Sequence, residues 1–351
     1  MKISIKKTFF LSILAFVTVL IQAGMVPEEV KTRLMGKYQG KINGIEKLAR
    51  SLGDSVTASQ VSAIRQKIDQ AVNQVRGMGS VDLPATEASI EKTIHGLLTD
   101  IFKQTISIAE KTAYNETATN LFAVAPWNKK IIWNAAQTHI LMLTWIPAAY
   151  RASYDAALGK DLSITWDAWV TAVPQVKEFA KNYQATNKEG FNLTDRIEQY
   201  LGLIPSKPPY ATSQNKLFVE MWVRPEDLER PCLDAEVIDS SCIYDPAGPS
   251  AAKLPPAFRD MSKFVPMTNE HKAWYAKEKQ GKYSGQWAMP WTRFGYTYDW
   301  GSLRQSTGKL AAQGASEYLI KKGSVVKIHA IIPTDDYPNA AIPKSGYTYS
   351  E

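Results

Sequence analysis

Three side chains in the second half of the chain could act together on a substrate, and each stands beside a strand-like segment. Arg224 directly follows the apolar segment KLFVEMWV, and Thr297 lies within RFGYTY. Glu317 opens EYLIKKGSVVKI, which is typical of a strand, a turn at Gly323 and a second strand. A guanidinium can bind a phosphate with two hydrogen bonds, and a fixed carboxylate can stabilise positive charge.

The order of these residues resembles the ADP-ribosyltransferase fold of exported bacterial toxins. In that family an Arg ends the first strand, a Ser/Thr-rich strand follows, and a Glu opens a strand that runs on to a basic residue, Gly and Ser/Thr. The resemblance covers about the last 135 residues, and Glu317 to Ser324 matches best. It implies that NAD is the substrate, that Glu317 is catalytic, and that Arg224 and Thr297 bind the dinucleotide. The aromatic residues that it implies stack on nicotinamide are Trp291, Tyr296 and Tyr298.

The chain departs from the family pattern at two places. The middle strand has Tyr-Thr-Tyr instead of Ser-Thr-Ser, and Ala315, two residues before Glu317, is not a second acid. The resemblance therefore implies NAD hydrolysis, or modification of a residue other than arginine.

A second interpretation of the same residues involves no catalysis. Glu317 would be a solvent-facing strand residue, and Arg224 would pair on the surface with Glu226 or Asp227. The Trp and Tyr residues of 287–300 would be core packing. The protein would then be a secreted or envelope-associated binding protein. The sequence contains no GxSxG, Walker-type, GxGxxG or HExxH motif that would favour another enzyme class.

Cysteine and histidine usage predicts a disulfide and no metal site. Cys232 and Cys242 are the two cysteines, and in an exported chain they are expected to pair, with two buried thiols as the alternative. No histidine has zinc-ligand spacing to them; the four are His95, His139, His271 and His329.

The N-terminus has the pattern of an export signal. Three lysines precede an uncharged apolar run from Phe9 to Ile21, and a small residue, Ala23, follows. We expect residues 1–23 to be a signal peptide that is cleaved near Ala23, so that the protein is periplasmic or secreted. An uncleaved anchor is the alternative, although the run is shorter than the ~20 residues of a spanning helix.

Composition and charge favour a globular protein and give no indication of nucleic-acid binding. The 351 residues are 45% hydrophobic and 21% charged, and the formal net charge is +7. Residues 1–23 hold three lysines and no acid, so the mature chain would carry +4. No basic run with interleaved aromatic residues is present, so nucleic acid is not an expected partner. The resemblance implies a protein acceptor, and the non-catalytic interpretation implies a host or envelope component.

The hydrophobic pattern predicts an α+β protein, with an antiparallel helical bundle at 25–203 and a mixed, mainly β domain at 213–351. Apolar residues recur every three or four positions after Val61 and again after Ile90, which is typical of amphipathic helices. Further helices are expected at 130–157, 165–185 and 193–202. The proline-rich segment 204–212 is the expected linker.

Residues 131–150 carry no formal charge and are long enough to cross a bilayer. Their Asn, Gln, Thr, His and Pro residues are costly in lipid, so a buried central helix of the bundle is favoured over membrane contact.

Overall fold

The computed structural model describes residues 26–78, 81–111, 118–125, 128–186, 190–207, 216–242, 268–285, 287–302 and 313–346. The expected signal peptide, 1–23, and residues 208–212 of the expected linker lie outside the described residues. The chain divides into two compact units. The first comprises the described residues up to Ile101 with Gly190 and Phe191, and the second comprises the rest.

The first unit is helical, as its hydrophobic pattern predicts. Its helices are α1 (Pro27–Ser51), α2 (Ser55–Gln60), α3 (Ser62–Met78) and the first part of α4 (Leu83–Glu110). The apolar residues spaced by three and four on each long helix are buried, including Ile42 of α1, Ile68 of α3 and Ile94 of α4. The helical prediction for this part of the chain is therefore confirmed.

The second unit is an antiparallel sheet with short helices. Its strands are β1 (Ile140–Pro147), β2 (Asp161–Ser163), β3 (Ala168–Ala172), β4 (Lys216–Val223), β5 (Leu228–Glu229), β6 (Tyr296–Tyr298), β7 (Gln313–Ile320) and β8 (Val325–Pro333). Its remaining helices are α5 (Arg151–Asp155), α6 (Val173–Thr186), α7 (Leu193–Tyr200) and α8 (Asn269–Gly281). The strand-like segments KLFVEMWV and RFGYTY contain β4 and β6, and EYLIKKGSVVKI contains the end of β7 and the start of β8. Together with the helical first unit, this confirms the α+β fold class.

The eight strands form one sheet in which every described pairing is antiparallel. The order is β2-β8-β4-β1-β3-β7-β5, and β6 pairs with β7 beside this path. One apolar cluster covers each face: Met142, Val170 and Tyr318 belong to one, and Leu143, Phe218 and Ala315 belong to the other. A central strand of such a sheet is buried on both sides.

The expected helix over 131–150 is wrong, because this segment contains β1. Strand β1 pairs with β4 along its whole length, from Ile140 opposite Val223 to Pro147 opposite Lys216. A strand covered on both faces is a continuous apolar run, and such a run cannot be distinguished from a buried helix by periodicity. The expected helix over 165–185 is wrong over 165–172, because β3 lies there and α6 begins only at Val173. The helix expected at 193–202 is confirmed by α7, which the Asn192 side chain caps.

The expected division into 25–203 and 213–351 also differs from the structure. Strands β1, β2 and β3 lie before 204–212 and share one sheet with strands that follow it. The second unit therefore begins at Phe102, far earlier than the sequence pattern indicates.

Cys232 and Cys242 form a disulfide, with 6.4 Å between their Cα atoms, as predicted. Among the described residues, no helix combines the length and the apolar character needed to cross a membrane.

Candidate functional site

Glu317 lies in the middle of β7, in a row of residues that crosses four strands. It pairs with Thr171 of β3, Thr171 is opposite Leu143 of β1, and Leu143 is opposite Glu220 of β4. Because paired residues of neighbouring strands project to the same face, this register fixes the face on which Glu317 lies.

Next to this row the strands β1 and β3 separate. Their ladder contains two described pairs, Met142 with Ala172 and Leu143 with Thr171. Strand β1 continues along β4 as far as Pro147, and β3 stays paired with β7 back to Ala168. Beyond this row β1 and β3 are no longer paired with each other, and a cavity of about 700 Å³ lies between them.

The cavity wall is mostly apolar and aromatic. Both diverging strand segments contribute to it, with the loops after β1, before β3 and after α7. Its tryptophans are Trp145, Trp166, Trp169 and Trp291. Its polar side chains are few, namely Thr144, Ser153, Asp167, Thr171, Lys282, Thr297 and Glu317, with the hydroxyls of Tyr150, Tyr154, Tyr296 and Tyr298. A mainly apolar wall with a small number of polar groups is typical of sites for small molecules.

Glu317 is the carboxyl group on which the electrostatics of the cavity depend. The residue is partly exposed, but its Oε2 atom is buried and has no hydrogen-bond partner among the described residues. Burial raises the pKa of Glu317 to about 8, and the charge of Lys282 opposes this rise only in part. The group is therefore mainly protonated near pH 7.

Lys282 is the one Lys or Arg among the described residues that line the cavity. Its Nζ atom lies 2.9 Å from Oε2 of Glu278, and it stands 4.8 Å from the centre of the Trp169 ring. The Lys282 ammonium group therefore interacts both with Glu278, near the end of α8, and with the face of the Trp169 ring. Sequence reasoning missed Lys282, because one lysine after a helix carries no pattern.

Thr297 also lines the cavity, but its hydroxyl is committed to the backbone. It donates to the Tyr200 carbonyl oxygen at 2.7 Å and accepts from the Ala315 N–H at 2.8 Å. Its role in the structure is to hold β6 against β7 and against the end of α7.

The three predicted aromatic residues lie together with Glu317 in the cavity wall. Trp291, Tyr296 and Tyr298 are all buried and all line the cavity. Trp291 packs edge-on against Trp169, with 6.4 Å between ring centres. These residues therefore serve both as core packing and as the wall of the cavity, so the two interpretations of this segment are not exclusive.

Arg224 does not join this group. It is not among the described residues that line the cavity, and its side chain is 47% exposed. Its Nε and Nη2 atoms donate to the two carboxylate oxygens of Asp227 at 2.8 and 3.1 Å, and Glu226 lies 3.6 Å away. The surface pairing expected as the alternative is thus present, and the structure does not bring Arg224 together with Thr297 and Glu317.

Among the described residues, one group of acids has the spacing of metal ligands. Asp234, Glu236 and Asp239 lie in the loop that the disulfide closes, and none of them lines the cavity.

Comparison of the chain with protein-family models, with curated proteins and with solved structures finds no match.

Proposed function

We propose that the chain is an exported binding protein whose cavity holds a small, mainly apolar molecule with an amine or another hydrogen-bond donor directed at Glu317. The observation that carries this proposal is the buried, unpartnered Oε2 atom of Glu317 in the wall of a mainly apolar cavity.

The size and wall of the cavity support a small-molecule ligand. Its volume of about 700 Å³ is within the range of roughly 300–1,000 Å³ that is usual for such sites. The aromatic rings of Trp169 and Trp291 would cover the apolar body of the ligand.

The state of Glu317 supports a donor group on that ligand. A buried oxygen without a hydrogen bond costs about 1–3 kcal/mol, which a ligand donor would recover. An ammonium group would go further, because it would favour the ionised carboxylate and lower the raised pKa of Glu317.

Two features support export. The disulfide between Cys232 and Cys242 is typical of proteins that fold in an oxidising compartment. Residues 1–23 have the composition of a signal peptide.

The proposal is tested by titrating the mature protein with octylamine and with octanol, following tryptophan fluorescence and binding heat. We expect both probes to bind saturably and octylamine to bind more tightly. Glu317→Gln should remove the preference for the amine, while Glu226→Gln, which changes an exposed glutamate outside the cavity, should keep it. Absence of saturable binding, or an unchanged preference in Glu317→Gln, would refute the proposal.

An NAD-consuming activity is the second candidate. It is favoured by one observation, the convergence of Glu317 and Thr297 with Trp291, Tyr296 and Tyr298 in one cavity. It is disfavoured by the position of Arg224 and by the protonated state of Glu317, since stabilising a ribose cation requires the carboxylate. Release of nicotinamide from NAD by the mature protein, lost in Glu317→Ala, would replace the binding proposal with this one.

A further inference from the structure

The short loop between the two disulfide-bonded cysteines carries three acids close together. One carboxylate oxygen from each of Asp234, Glu236 and Asp239 lies within 4.8 Å of the others. The disulfide joins the two ends of this loop, and Cys232 and Cys242 are both fully buried. The disulfide therefore keeps the three acids close together even when repulsion between their charges would separate them.

Asp234 is the member of this group that the protein alone leaves unsatisfied. Its residue is only 8% exposed, and both of its carboxylate oxygens are buried with no hydrogen bond of ordinary geometry from any described residue. Burial raises the pKa of Asp234 to about 6, and the charge of Asp239 adds to the rise. The Glu236 main-chain N–H and the Arg230 guanidinium offset only part of this cost. A buried carboxylate in this state indicates a missing positive partner.

The other two acids are oriented but not neutralised. Glu236 accepts from the N–H groups of Ile238 and Asp239, at 2.9 and 3.1 Å. Asp239 accepts from the N–H and hydroxyl of Ser241, both at 2.7 Å. None of these donors carries a charge, and burial with the neighbouring acids raises the pKa of Glu236 to about 7.

Arg230, a fully buried cation beside this group, is directed mainly at the backbone of the loop. Its guanidinium donates to the carbonyl oxygens of Glu236, Val237 and Asp239, so it shapes the loop backbone. If all three acids are ionised, the group together with Arg230 has a net charge of −2, which a divalent cation would cancel.

We propose that Asp234, Glu236 and Asp239 bind a hard divalent cation of the Ca²⁺ class in the disulfide-closed loop. Carboxylate oxygens are the ligands that such ions prefer, and two oxygens on one Ca²⁺, each about 2.3–2.6 Å from it, lie at most about 5 Å apart. The three oxygens lie within 4.8 Å of one another, which fits this geometry. Mg²⁺ demands near-ideal octahedral geometry and loses its waters reluctantly, so we expect it to bind less tightly. The site is separate from the cavity and does not depend on the proposed ligand.

The test uses the full mature protein freed of metal with EGTA and titrated with CaCl₂ and, in parallel, MgCl₂. Calorimetry should show saturable Ca²⁺ binding, weaker Mg²⁺ binding, and a melting temperature that rises with Ca²⁺. Asp234→Asn should weaken Ca²⁺ binding by about tenfold or more. Asp335→Asn, which changes an exposed aspartate outside the loop, should bind as the unmodified protein does.

A measurement without metal separates a cation ligand from a structural acid. In EGTA, Asp234→Asn should melt at the same temperature or higher, because it removes a buried, uncompensated charge. A lower melting temperature in EGTA, an equal Ca²⁺ response in Asp234→Asn, or no saturable binding to the unmodified protein would each overturn the proposal.

Discussion

Glu317 differs from an ordinary strand residue because it combines a buried oxygen with a free hydrogen-bonding capacity. The sequence pattern groups Glu317 with Thr297 and Tyr296. In the structure these residues lie near one another because β6 and β7 pair directly. The sequence pattern does not predict the position of Arg224. Asp227 follows it by three residues, and the ion pair between them holds the guanidinium outside the cavity.

Replacing Glu317 with Gln should change the pH dependence of stability. The folded-state pKa of about 8 lies above the ordinary value of 4.5, so the folded protein holds this proton more tightly than the unfolded chain. The free energy of unfolding therefore falls as pH rises from about 4.5 to about 8. Glu317→Gln has no such proton, so its melting temperature should exceed that of the unmodified protein at pH 8.5.

The comparison at low pH is the control for this prediction. At pH 4 both proteins are neutral at this position and should melt within a few degrees of each other. Thermal unfolding followed by circular dichroism at pH 4 and at pH 8.5 measures the melting temperature of both proteins. A variant that is less stable at every pH would instead mark Glu317 as a residue that packing requires.

At the scale of elements, the separation of β1 from β3 is what creates the cavity. Nothing in the sequence predicts it. The segment ILMLTWIP carries no alternation because both of its faces are covered, and Ala168–Ala172 leads directly into α6 and so looks like its first turn. A divergence of two strands depends on long-range pairing, with β4 on one side and β7 on the other, which no local pattern encodes.

A larger side chain at Ala168 should occupy part of the cavity between β1 and β3. Ala168 lies at the start of β3, lines the cavity and is partly buried against the apolar cluster of Met142 and Val170, so Ala168→Phe would add a ring at the cavity wall and reduce the cavity volume. We expect octylamine binding to be lost and the melting temperature to fall by a few degrees, because the ring must share space with that cluster.

Ala168→Ser, with nearly the same volume, is the matched variant and should bind as before. Fluorescence titration of both variants measures the effect. Undiminished binding in Ala168→Phe would place the ligand elsewhere.

At the scale of the whole molecule, the second unit contains several acids whose pKa is raised by burial. Besides Glu317, Glu198 of α7 has a pKa of about 7, although the Ser206 N–H and hydroxyl donate to it and Lys216 Nζ lies 3.9 Å away. The sequence predicted the class of fold because helix periodicity is local. The sequence placed the boundary between the two units too late, because β1, β2 and β3 precede residue 204 but belong to the same sheet as the later strands.

The protein should be more stable in mild acid than in mild base. Among the described residues, the carboxyl groups with a raised pKa are Glu198, Asp234, Glu236 and Glu317, and they bind protons more tightly in the folded state. Glu46 and Glu229 have a lowered pKa, so their opposite effect falls below this pH range. The free energy of unfolding should therefore decline between about pH 5 and pH 8.5. Urea unfolding in EGTA-containing buffers at these two values measures the decline, and a rise with pH would contradict it.

The order of the strands also constrains when this molecule can fold. The described partner of β2 is β8, and β5 and β6 pair with β7, so the last two strands that the structure describes complete both sides of the sheet. A polypeptide that emerges N-terminus first, from a ribosome or through a translocation channel, can form α1 to α3 early from contacts close in sequence. The second unit cannot complete its sheet until β7 and β8 have also emerged.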